Sequence, residues 1–378
     1  MVRVHIGGAT FPEGLRPVTT ATLDRAALGG ISDKAARASR AVGAWLLACA
    51  GMVFAMAIIG AITRLTESGL SITEWRPITG TLPPLNEAQW LAEFEKYRQI
   101  PEYQVINRGM SLEEFKYIYF WEWFHRLWGR LIGLVFFVPF VWFWATGRLT
   151  RELKWKGLGL FALGGLQGFL GWFMVQSGLV DRTDVSHYRL ALHLGVAFII
   201  FALLFKVALD VLDPRAAGAK PAVASGLTGH LWAALGLLSV TIVWGAFVAG
   251  MDAGHAYNTW PLMAGSFAPP EMWNLTPAAV NFVENTAAVQ FAHRWLAILT
   301  GLVVWAWCWR ALKARADGRL RALALALAAM MGVQVLLGIS TLLSFVWIPL
   351  AAAHQGGAFV LVALIVWCFH ELGRPEAA

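Results

Sequence analysis

The chain has 378 residues, 58% of hydrophobic type and only 14% charged, with a mean hydropathy of +0.59. A water-soluble domain of this size cannot hide that much apolar surface, so part of its solvent is lipid. The net charge of +7 is gathered in particular loops, which excludes a nucleic-acid surface and points to orientation in a bilayer. The first 40 residues are polar and are expected as a mostly disordered cytoplasmic tail. Apolar runs of about 20 residues, the length a helix needs to cross hydrocarbon, then follow near 42–63, 118–144, 158–180, 190–212, 229–250, 287–309, 322–343 and 350–370. The expected fold is therefore all-α, a polytopic membrane protein with eight transmembrane helices.

Arg148, Arg151, Lys154 and Lys156 lie between the second and third runs. Arg310, Lys313, Arg315, Arg319 and Arg321 lie between the sixth and seventh, whereas 251–293 contains no Lys or Arg. The positive-inside rule puts both termini in the cytoplasm and loops 64–117 and 251–286 outside. Cys49, Cys308 and Cys368 all fall in apolar runs, in no spacing that reads as a disulfide framework or a zinc site.

The chain repeats itself. GAITRLTESGLSITEWRPITGTLPP after the first run matches GAFVAGMDAGHAYNTWPLMAGSFAPP after the fifth, and FHRLWGRLIGL in the second matches AHRWLAILTGL in the sixth. GGLQGFLGW pairs with MGVQVLLGI, and LALHLGVAFII with AAAHQGGAFVL. Each copy has four helices, so the copies share one orientation and relate by an axis along the membrane normal. Two pseudo-symmetric four-helix bundles are expected, 41–213 and 229–371, joined by a cytoplasmic linker at 214–228.

Each even-numbered run carries one histidine near its outer end: His125, His193, His293 and His354. A lone histidine in an apolar helix is more often a packing residue, but intramembrane ionisable groups are functional candidates by default. Four at matched repeat positions favour ligation, one haem iron held between two helices in each bundle. The expected pairs are His125/His193 and His293/His354. Zinc wants tetrahedral closure with Cys or carboxylate partners, and the spacing offers two separated pairs instead. Gly129, Gly195, Gly356 and Gly357 follow the histidines and are expected to let a flat macrocycle approach the backbone. His5, His187, His230, His255 and His370 are expected in solvated or interfacial places.

Glu122 lies three residues before His125, on the same helix face, and its counterpart before His293 is Gln290. A carboxylate beside one site and an amide beside the other fits a worked-upon haem in the first half and a resident electron carrier in the second. Glu122 and Arg126 are equally an i,i+4 ion pair that anchors a helix at the interface. Arg126 and Arg294, each next to its histidine, are candidates to neutralise haem propionates.

With EWFHRLWGR, TRLTESGLSITEWRPITGTLPPL, RLALHLG, ENTAAVQFAHRW and AAAHQGGAF, the sequence resembles the haem A synthase family over roughly residues 40–370, nearest its alphaproteobacterial and mitochondrial branch. The resemblance implies oxidation of the C8 methyl of haem O to a formyl group, giving haem A for terminal oxidases. It implies substrate haem between His125 and His193, Glu122 as the reactive carboxylate, and a permanent haem b between His293 and His354. It also implies a bacterial inner-membrane location with the haem sites toward the periplasm. Implied partners are the haem O synthase (protohaem farnesyltransferase), oxidase assembly factors, an electron-transfer partner and a second copy of the chain. Some family members carry a cysteine pair in the first outer loop; this chain has none there, so no role of that pair carries over. The competing reading is a bis-histidine cytochrome b that relays electrons. Loop 64–117 is expected either to cap the substrate site or to dock a partner.

Overall fold

The computed structural model describes residues 20–76, 78–176, 178–179, 183–214, 225–314 and 318–373. Among these, eight helices are long and apolar enough to cross a membrane, one on each expected run. They are α1 (Thr20–Leu65), α4 (Leu112–Ala145), α5 (Arg151–Gln176), α6 (His187–Leu212), α7 (Ser225–Gly250), α9 (Thr286–Lys313), α10 (Gly318–Leu343) and α11 (Ile348–Leu372). Short helices α2 (Glu87–Tyr97) and α3 (Pro101–Val105) belong to the first outer loop, and α8 (Asn281–Glu284) to the second. The expected tail is partly corrected: the backbone is already helical from Thr20, so α1 runs into the stretch read as disordered. The rest of that tail, residues 1–19, and most of the linker lie outside the described residues.

Helix ends follow local chemistry. Ser111 starts α4 with a reciprocal capping box to Glu114, and the Asn285 side chain accepts from the amides of Ala287 and Ala288 at the start of α9. Both α1 and α7 run out through an acidic residue in the left-handed region, Glu67 at φ 52° and Asp252 at φ 50°. Those two residues are equivalent in the repeat, so the duplication reaches into backbone geometry.

Helix contacts obey the repeat. In the first half α1 packs on α4, α4 on α5, α5 on α6 and α6 back on α1; in the second, α7, α9, α10 and α11 close the same ring. The halves meet through α6 against α11, flanked by α1 against α11 and α6 against α7. Phe198 of α6 and Phe359 of α11, each five residues after its histidine, stack at this seam with ring centroids 3.8 Å apart. The pseudo-two-fold axis thus runs between two copies of one residue. The largest apolar core, including Leu204, Trp307, Leu327 and Ile365, crosses the seam, and Gln355 Nε2 adds a 2.6 Å hydrogen bond to the Ala57 carbonyl of α1.

The loop between α1 and α4, expected outside, has its own aromatic core. Phe94, Tyr97, Tyr103, Phe115 and Tyr119 pack together with Leu70 and Val175, with Phe94 and Phe115 stacked at 4.9 Å.

Candidate functional site

The opening of α4 puts Glu122, His125, Arg126 and Arg130 into a helix that is otherwise apolar, and the structure supplies their partners. Arg126 donates from Nε to Glu122 Oε1 at 2.6 Å, from Nη1 to the Glu74 carbonyl at 3.0 Å and from Nη2 to the Ile72 carbonyl at 2.9 Å. Arg130 Nη2 donates to the Arg76 carbonyl at 2.9 Å. The two arginines therefore pin the Trp75 segment of the first outer loop down along α4.

The second half repeats the clamp. Arg294 donates to the carbonyls of Thr259 (2.9 Å) and Tyr257 (2.8 Å) and to Gln290 Oε1 (2.9 Å). Each guanidinium also lies over the equivalent loop tryptophan, Arg126 by Trp75 at 5.6 Å and Arg294 by Trp260 at 5.9 Å. Both arginines, expected to face propionates, spend three of their five N–H donors on loop and helix partners. No local sequence pattern marks this clamp, although the two Trp-containing loops are repeats of one another.

Glu122 is buried, at 4% exposure, and ion-paired to Arg126. Gln290, also buried, uses both ends of its amide: Nε2 donates to the Ala253 carbonyl at 2.6 Å while Oε1 accepts from Arg294. A carboxylate cannot make that donation, so the amide is demanded by the second half and not by the first.

The four histidines lie on α4, α6, α9 and α11, two per bundle, as expected. All four are half-buried. His293 and His354 face each other with ring centroids 6.4 Å apart and planes at 89°. Two metal–nitrogen bonds of about 2 Å plus two imidazole radii of about 1 Å span about 6 Å, so this spacing fits one ion ligated from both sides. His293 Nδ1 lies 3.2 Å from the Thr241 carbonyl, which accepts the ring proton and leaves Nε2 with its lone pair for a ligand. Nδ1 of His125, His193 and His354 is buried with no hydrogen-bond partner among the described residues. Gln167 Nε2 lies 3.2 Å from His193 Nε2 and donates to the His193 carbonyl at 3.0 Å; Gln334 donates likewise to the His354 carbonyl at 2.9 Å.

The glycines that matter to the rings are not the ones expected. Gly129 would bring a Cβ only to Met56, Gly195 faces open space, Gly356 packs on Ile58 and Phe54, and Gly357 on Gln334. Instead each imidazole presents its Cε1 edge to a glycine on the preceding membrane helix: His125 to Gly60, His193 to Gly171, His293 to Gly245 and His354 to Gly338. Among the other histidines, His187 and His370 are buried, against the expectation of a wet place. His187 packs on Phe247 at the bundle seam, and His370 pairs with Asp210 at the opposite end. His230 bonds the Val303 carbonyl, His255 is exposed, and His5 lies outside the described residues. Among the described residues, the one group of three or more metal-ligand side chains close enough to share an ion is Asp213, His370 and Glu371.

Fold and site together define a duplicated eight-helix membrane protein with two site histidines in each half, seen face to face in the second. The family follows from comparison: a sequence model described as cytochrome oxidase assembly protein matches residues 43–366, and the chain belongs to that family. It is 69% identical over 344 residues to the heme A synthase of Rhodospirillum centenum, covering 91% of each chain. It is 52% identical to that of Parvibaculum lavamentivorans, over 88% of this chain and 95% of the relative. The heme A synthase of Nitrosospira multiformis is 48% identical, over 91% of this chain and 96% of its own.

Proposed function

We propose that this chain is a haem A synthase, an enzyme of haem A formation that takes haem O as substrate and oxidises its C8 methyl to the formyl group. The observation that carries the reading is a pair of histidines repeated in each half, beside which only the first half bears a carboxylate, Glu122, where the second bears Gln290. The similarity to the heme A synthases named above supports it. Nothing observed favours a cytochrome that only relays electrons: the four histidines sit at equivalent outer positions of the repeat, a poor arrangement for moving electrons across a membrane.

In this reading His125 and His193 hold the substrate haem, and His293 and His354 hold a resident haem b. Bound there, haem b supplies one-electron redox chemistry. The substrate methyl would pass to an alcohol and then a gem-diol, each step adding water oxygen and releasing two protons and two electrons to the electron-transfer partner, and the gem-diol would shed water to leave the aldehyde. Glu122 accepts protons released from the substrate or stabilises positive charge developing on its substituent carbon. Arg126 holds the Glu122 carboxylate in place and ties it to the loop that covers the bundle. The donors of Arg126 and Arg294 that remain unspent are those available to propionates. Orientation follows the basic loops: both termini in the cytoplasm of a bacterial inner membrane, the site toward the periplasm. The haem O synthase, oxidase assembly factors, an electron-transfer partner and a second copy of the chain are its proposed partners.

The test is pigment extraction from membranes that express the protein with a supply of haem O, comparing wild type with Glu122→Gln. Haem A in the wild type, lost in a variant that still holds haem b, is the expected result. Haem b alone in both overturns the enzyme; haem A in both removes Glu122 from the chemistry.

A further inference from the structure

Four glycines stand in register with the four histidines. A Cβ built at Gly60 would lie 3.1 Å from His125 Cε1, one at Gly171 3.1 Å from His193 Cε1, one at Gly245 3.0 Å from His293 Cε1, and one at Gly338 2.8 Å from His354 Cε1. Gly60 and Gly245 are repeat equivalents, as are Gly171 and Gly338. The same contact is thus made at all four histidines, by two kinds of helix pair. Glycine is a poor residue for a helix interior, and alanine the best. All four positions are nonetheless within helices, and none has a positive φ. What they require is the close approach of a ring. That ring is stiff, held by two torsions, so the atom a methyl would meet is not the end of a flexible chain.

From this we infer that Gly60, Gly171, Gly245 and Gly338 are positioning residues, each a notch that sets the tilt and depth of one imidazole toward the haem iron. The inference rests on the proposed ligation by the four histidines. A methyl in the notch pushes Cε1, and with it the adjacent Nε2, by a few tenths of an ångström, the scale on which a preorganised site loses its geometry. Axial ligation is one of the levers that set haem spin state and potential. The notches therefore act on those two properties before they act on haem content.

The experiment uses the full chain purified in detergent with its resident haem, and reads the optical and electron paramagnetic resonance spectra and the midpoint potential. The variants are Gly245→Ala, Gly338→Ala and, as a control, Gly332→Ala, whose added Cβ meets nothing within 4 Å on the same helix as Gly338. Expected is a high-spin fraction and a shifted potential in the two notch variants, with Gly332→Ala superimposable on wild type. Wild-type spectra and potential in both notch variants overturn the inference, as does an equal shift in the control. If Gly338→Ala, the tighter contact, is not recovered from the membrane, Gly245→Ala decides alone. His293→Ala and His354→Ala separate the two levels of the argument. Wild-type haem spectra in those variants overturn the ligation itself, whereas loss of the low-spin haem in them beside silent notch variants overturns only the notches.

Discussion

Arg126 and Arg294 each hold two carbonyls of an outer loop and one side chain four residues back, but that side chain is a carboxylate in one half and an amide in the other. Removing Arg126 leaves Glu122 buried and unpaired, a loss of about 3–5 kcal/mol for a broken buried pair. Removing Arg294 leaves neutral acceptors only, about 1–3 kcal/mol. Arg126→Ala should therefore lower thermal stability in detergent more than Arg294→Ala, and Glu122→Gln added to Arg126→Ala should recover part of the difference. Equal losses would mean that the ion pair adds nothing to the clamp. Glu122, Gln290 and their spacing to the histidines were legible in the sequence, because three residues along a helix always share a face. The loop carbonyls were not, since a guanidinium that reaches 52 residues back leaves no local pattern.

The first outer loop shows what an element adds to the site beneath it. Its aromatic core encloses Glu102, at 3% exposure, with Oε2 unbonded among the described residues. Burial, aided by the negative Glu67 and Asp184 and opposed by Tyr97 and Arg64, holds this carboxyl up at about 8. The native loop thus keeps a proton that an unfolded chain would release in the ordinary carboxylate range. Stability from this group is fullest below that range, falls as pH rises toward about 8, and is flat beyond. Thermal unfolding followed from about pH 5 to about pH 9 should show that fall, and Glu102→Gln should flatten it. An unchanged slope in the variant would assign the dependence to other groups. Length and aromatic content marked this loop as a cap or a docking face. That it packs as a unit followed only from Phe94, Tyr97 and Tyr103 folding onto one another and onto α4 and α5.

Over the whole molecule, the seam between the halves is where duplication becomes packing. Phe198 and Phe359 stack on each other, and Phe359 also meets Phe54 and Phe201. Phe198→Ala or Phe359→Ala should each cost about 3–5 kcal/mol, as large-to-small core changes do. The pair should couple by about 0.5–1.5 kcal/mol in a double-mutant cycle run by denaturation in detergent. Strict additivity would show that the stack contributes no more than its separate burials.

The sequence by itself determined the eight spans, their repeat, the four histidines and the lone carboxylate. Lipid demands long apolar helices, and duplication writes the same residues twice. Tertiary structure decided what those residues touch: which glycines seat the imidazoles, which carbonyls hold the arginines, and which phenylalanines mark the axis. These contacts join helices distant in the chain, and their distances are set by how helices pack, which no local spacing records.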